Sequence, residues 1–202
     1  MALFDIFQRR RPIRDNRELA EFIDGNAAFL IQKAIYEYSR ARAGHYSKVL
    51  FKEPEFHKAV EVSRWRAFPL GLAMVAEIAD GVLRPRSGAD PLRDFDTLVA
   101  VVLSVFDRYP VPDVLGTEVW QELRADLERR LRQISLHPVK RALEVPEQYA
   151  TLYFDLMPIH EKLRGRDFET THNYLKVTLC NIHDELTKRI EGQPLAQLAA
   201  VG

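Results

Sequence analysis

Residues 65–79 read WRAFPLGLAMVAEIA, the most apolar run in the chain, with no charge between Arg66 and Glu77. On a helix these apolar side chains point in every direction, so other helices have to cover it on most sides. Upstream, Phe56 and Val60 extend the same helical spacing toward Glu53-Pro54, a start that suits proline, whose missing donor is not needed in a first turn. Downstream, Gly81 and Pro85 close the segment. Pro69 falls in its middle and is expected to kink it, because it cannot donate to residue 65 and crowds that carbonyl.

The flanking sequence reads as the cover. Leu19, Phe22 and Ile23 share one helical face before Asp24-Gly25-Asn26 interrupts, with Asn26 a candidate cap. Ala27, Leu30, Ile31, Ala34, Ile35 and Tyr38 then keep amphipathic spacing as far as Gly44. After Asp90-Pro91, the residues Leu92 to Phe106 predict a second central helix, stopped by Tyr109-Pro110-Val111-Pro112. Trp120, Leu123, Leu127, Leu131 and Ile134 form a narrow stripe, the mark of a surface helix with one buried edge. Its pairs Asp126–Arg130 and Glu128–Arg132 stand four apart in the favourable order. A helix from Pro146 to Ile159 with a second kink at Pro158 follows. The last helix begins at Asp167 or Thr170, buries Tyr174, Leu175, Leu179, Ile182 and Leu186, and ends at Gly192.

No alternation of period two is long enough for a strand, and no internal repeat is present. The predicted fold is all-α: one single-domain bundle of about six long, partly kinked helices over residues 15–192. Residues 1–14 form a separate apolar-then-basic segment, and residues 193–202 are expected to be a disordered tail.

Composition narrows the function classes. Lysine plus arginine balances aspartate plus glutamate at 29 each, so no global field attracts nucleic acid, which is not expected as a partner. One cysteine, Cys180, excludes an internal disulfide framework and a cysteine-based zinc site. The longest uncharged runs are about half of what a bilayer crossing requires. The start puts apolar residues before positive ones, the reverse of a secretory signal, so a cytoplasmic location is expected. None of the six serines lies in Gly-x-Ser-x-Gly, and no phosphate-binding or dinucleotide glycine loop occurs.

Glu77, on the most apolar helix, is the most suggestive single residue. An unpaired carboxylate there would have a raised pKa and serve as a general acid or proton-coupled switch. The alternative is a solvent-facing edge, which Asp80 would mark, or a partner such as Arg84. Residues 36–52, YEYSRARAGHYSKVLFK, interleave aromatic and basic side chains. Tyr38, Arg42 and His45, with His57 and Arg64 on the next helix, are candidates to hold an anionic ligand or a partner; the alternative is a solvated helix end. Glu169 and His172 have the spacing used in di-iron bundles, but a second Glu-x-x-His is absent. Neither a metal nor another cofactor is expected.

The segment MALFDIFQRRR places Leu3, Phe4 and Phe7 on one helical face, followed by Arg9, Arg10 and Arg11. It resembles the membrane-targeting start of the bacterial division-site protein MinE, another short Leu/Phe-rich segment followed by basic residues. The resemblance covers eleven of the 202 residues and implies docking on an anionic membrane surface. Two functional readings follow. One is a non-enzymatic interaction or adaptor protein with a protein partner, peripheral at the membrane through its N-terminal segment. The other is a small-ligand binder or enzyme with a pocket between kinked helices, using Glu77, His57 and the Tyr/Arg cluster.

Overall fold

The uncharged stretch lies inside a helix of 30 residues, Pro54–Leu83, and every residue from 67 to 80 in it is buried. The computed structural model describes residues 11–86, 91–164 and 167–190. It is an all-α bundle, 80% helical, with no strand among the described residues. In chain order its helices are α1 (Asn16–Ala28), α2 (Ala34–Ala43), α3 (Ser47–Leu50), α4 (Pro54–Leu83), α5 (Pro91–Asp107), α6 (Thr117–Ile134), α7 (Ala150–Asp155), α8 (Glu161–Arg164) and α9 (Asp167–Ile190). α4 is the axis of the molecule, with α1, α6 and α9 packed along it and α5 bridging α1 and α6.

α4 continues in helical form through Pro69. Several expectations change at the level of single elements. α5 buries Phe95, Leu98, Val99, Val101, Val102, Val105 and Phe106 but leaves Asp96, Ala100, Ser104 and Asp107 exposed. It is therefore an amphipathic outer helix, and α4 alone is central. The helix expected from Pro146 is a 3-10 turn, Val145–Gln148, followed by the short α7, and Pro158 lies beyond the end of α7. A proline disfavours helical geometry in the residue before it, so the chain leaves the helix ahead of Pro158.

Gly25 does not interrupt α1, and Asn26 is no cap, since its Nδ2 donates to the Phe22 carbonyl at 2.8 Å. The cap of α1 is Asp15, whose Oδ1 accepts from the Glu18 amide at 2.7 Å. Glu18 reaches back to accept from the Arg14 amide, so two otherwise unbonded donors are satisfied together. Ahead of this cap, Ile13 is fully buried and its amide donates to the Arg189 carbonyl at 2.9 Å. Arg189 Nε in turn donates to the Arg11 carbonyl at 2.8 Å. The boundary expected after residue 14 therefore moves toward the N-terminus, because Ile13 is part of the core. Leu3, Phe4, Phe7, Arg9 and Arg10, and the tail at 193–202, lie outside the described residues.

Between α1 and α2 the helix opens into a π turn, Phe29–Lys33. The buried residues Ile23, Ala27, Ile31, Ile35, Ser39 and Ala43 recur every fourth position across it. At 3.6 residues per turn such a row drifts by about 40° per step, and a turn with one extra residue takes up part of that drift. The same turn meets α4 at Gly71. A Cβ at Gly71 would stand 2.4 Å from Ile31 Cγ1 and 3.2 Å from the Ala27 carbonyl oxygen. Ile31 is fully buried and β-branched, so it has little room to give way. Gly71→Ala is accordingly expected to destabilise the chain by about 1–3 kcal/mol through overpacking. Thermal unfolding should show this as a loss of about 2–4 °C per kcal/mol. An unchanged Tm would mean that α4 and the π turn do not approach this closely.

Candidate functional site

The six polar candidates from the sequence fall at different places. Tyr38 and Arg42, one turn apart on α2, both reach Asp167 at the start of α9. The Tyr38 hydroxyl donates to Asp167 Oδ2 at 2.9 Å, and Arg42 Nε lies 3.0 Å from the same oxygen. Burial, then the bond to Asp167, pushes the Tyr38 hydroxyl up to about 12. This is a clasp between α2 and α9. His45, in the 3-10 turn Gly44–Tyr46, and His57, in the first turns of α4, are both exposed.

Glu77 is buried, and it is fully engaged. Lys140 Nζ lies 2.7 Å from its Oε1, while Gln148 Nε2 and the Tyr149 hydroxyl donate to Oε2 at 2.7 and 3.1 Å. Lys140 also donates to Gln148 Oε1 at 3.1 Å. Burial raises the Tyr149 hydroxyl, and the Glu77 charge raises it further. Arg84, the partner considered for Glu77, instead grips Asp80, with Nη2 and Nε donating at 2.6 and 3.1 Å. Burial raises the Asp80 carboxyl against the opposing pull of Arg84. Beside Glu77 lies a cavity of about 230 Å³ whose lining includes Arg130, Gln133, His137 and Lys140. All three donors to Glu77 come from residues 140–149, so this buried carboxylate ties an irregular connector to α4.

Arg64 marks the remaining place. Its Nη2 donates to Gln32 Oε1 at 2.8 Å, across from α4 to the π turn, while its buried Nε has no hydrogen-bond partner. It lines an open groove of about 490 Å³ with Ala28, Phe29, Gln32, Lys33 and Tyr36. Phe29 and Tyr36 are 46% and 42% exposed. The Lys33 ammonium sits 4.8 Å from the centre of the Phe29 ring. Tyr36 leads on to Phe51 at 5.0 Å between ring centres, and Phe51 to Phe56 at 5.1 Å. Sequence reasoning found Arg64 but missed Phe29, Gln32, Lys33 and Tyr36. The signal available was the fourfold spacing from Ile23 to Ala43, which an unbroken α-helix does not hold on one face.

Among the described residues, no group of three or more His, Cys, Asp or Glu side chains converges to hold a metal ion. His172 Nε2 lies 3.3 Å from Glu147 Oε1, which also takes Lys176 Nζ at 2.8 Å. No described helix is long and apolar enough to cross a membrane.

The class that these observations define is an all-α helical bundle with a carboxylate-anchored connector and an aromatic groove over a π turn. No family model matches the chain, and no curated protein and no solved structure matches it.

The roles of Glu77 and Lys140 in the fold can be separated by substitution. Lys140→Met leaves a carboxylate only 6% exposed without its cation, whereas Glu77→Gln leaves a lysine 28% exposed, which regains water. Lys140→Met is therefore expected to cost more, about 3 kcal/mol against about 1–2 for Glu77→Gln, in urea unfolding. The reverse order, or losses below about 0.5 kcal/mol in both, would show that the pair does not hold the connector.

Proposed function

We propose that this chain is a non-enzymatic interaction protein that docks a partner on the face built by the π turn, α2, α3 and the start of α4. The observation that carries the reading is the exposed ring pair Phe29 and Tyr36 bordering the Arg64 groove. The exposed Tyr46, in the turn after α2, and Val49 of α3 add further apolar surface to this face. Large exposed apolar side chains gathered on one face mark a candidate interaction surface. The buried carboxylate best suited to acid chemistry, Glu77, already has three donors, which favours a structural role over a catalytic one. Affinity capture with the full chain, compared with Phe29→Ser/Tyr36→Ser, tests the reading. Binders of the full chain are expected to be lost from the double variant at an unchanged Tm. An identical set of binders on both would move the docking face elsewhere.

The N-terminal segment adds membrane contact to this reading. Burying Leu3, Phe4 and Phe7 in a bilayer interface gains about 1.5–3 kcal/mol per side chain, less the cost of ordering the segment. Arg9, Arg10 and Arg11 each contribute about 1 kcal/mol near anionic lipid. Together these support reversible docking rather than permanent anchoring. The comparison is co-sedimentation of the full chain and of a chain beginning at Arg11, which retains the buried Ile13. Binding that needs anionic vesicles, weakens with salt and disappears in the shorter chain or in Phe4→Ala/Phe7→Ala is expected. Equal binding by the two lengths would end the membrane role of the segment.

A further inference from the structure

Six residues line the groove over the π turn, and the charged ones among them, Lys33 and Arg64, are both cationic. Neither forms an ion pair with a carboxylate among the described residues. Gln32 holds the Arg64 guanidinium from one side at 2.8 Å, yet its buried Nε meets no acceptor. The Nε is closed off from outside, so an incoming carboxylate meets the guanidinium at its Nη1 edge, with the Lys33 ammonium lining the same groove. Beside it, Phe29 and Tyr36 leave 46% and 42% of their surface exposed, which an apolar side chain would cover. The π turn places these rings and the α4 arginine on the two walls of one groove. Charge complementarity therefore selects an anion, and the rings ask for an apolar group close to it.

We infer that this groove receives an acidic segment of a partner protein, its carboxylate on Arg64 and Lys33 and a neighbouring large apolar side chain on Phe29 and Tyr36. The inference rests on the interaction reading above and names the chemistry of the partner. A peptide suits the place because the groove is open to solvent and its lining sets cations beside exposed rings, so one segment can present an acid and an apolar side chain together.

The probe is a random dodecapeptide library displayed on phage and selected on the immobilised full chain. The best peptide is then synthesised with its acid intact and with that acid changed to the amide. Recovered peptides are expected to carry aspartate or glutamate within about three positions of phenylalanine, tryptophan or leucine. Affinity is expected to fall about tenfold or more with the amide peptide and with Arg64→Ala, and to weaken with salt. Arg64→Lys, which keeps the charge without the fork, should recover only part of it. Lys33 is exposed, so Lys33→Ala is expected to weaken binding at an unchanged Tm, which separates lost affinity from misfolding. Peptides that depend on Phe29 and Tyr36 but ignore their acid and Arg64 would overturn the acidic assignment while leaving the docking face in place. No enrichment, or peptides indifferent to all four residues, would overturn both. Tighter peptide binding by a chain beginning at Arg11 would make residues 1–10 the occupant instead of a partner. Self-association in ultracentrifugation that Arg64→Ala abolishes would assign the groove to a second copy.

Discussion

A helix with no solvent face constrains everything around it. From residue 67 to residue 80, α4 is buried on all sides, so each polar group it carries has to find a partner inside the protein. Asp80 finds Arg84 one turn along the same helix. Glu77 has no such neighbour and is met by Lys140, Gln148 and Tyr149. The passage between α6 and α7 is therefore pinned by a charge on α4, although it contains no helix beyond single turns. The Glu77 carboxylate and this connector form one structural unit.

The second consequence of central burial is close approach. At Gly71 the surface of α4 has no side chain, and Ile31 of the π turn fills the space. The π turn keeps the fourfold row from Ile23 to Ala43 facing α4, where a regular helix would rotate it away. Such turns recur at functional sites because they change the direction in which nearby side chains project. Here the neighbouring side chains are Phe29 and Tyr36, half out in water, and Gln32, bonded to Arg64. The tight contact on the core side and the open groove on the solvent side are two faces of the same local geometry.

The Glu77 cavity and the Arg64 groove differ in what their polar groups are doing. Around Glu77 the carboxylate is satisfied by three donors, which leaves little for a ligand to gain there. Around Arg64 the balance runs the other way, with two cations that pair with no described carboxylate and two exposed rings. Recognition depends on groups with bonds still to make, and this contrast favours the groove over the cavity as the place where the chain meets something else.

The sequence by itself determined the fold class and the central helix. An uncharged run of ten residues between Arg66 and Glu77 leaves no face for water, and that follows from composition and helical period alone. The stripe of α6 and its pairs Asp126–Arg130 and Glu128–Arg132 were equally legible, being interactions within one helix. Local signals were less reliable where tertiary packing competed with them. Gly25 did not break α1, since it sits in a helix held by its neighbours. Only the tertiary structure decided which charges meet. Glu77 and Lys140 are 63 positions apart, and Arg64 and Gln32 are 32 apart. No periodicity links such residues; their distance is set by how helices pack, so the groove and the anchored connector became visible only once α4 had been wrapped.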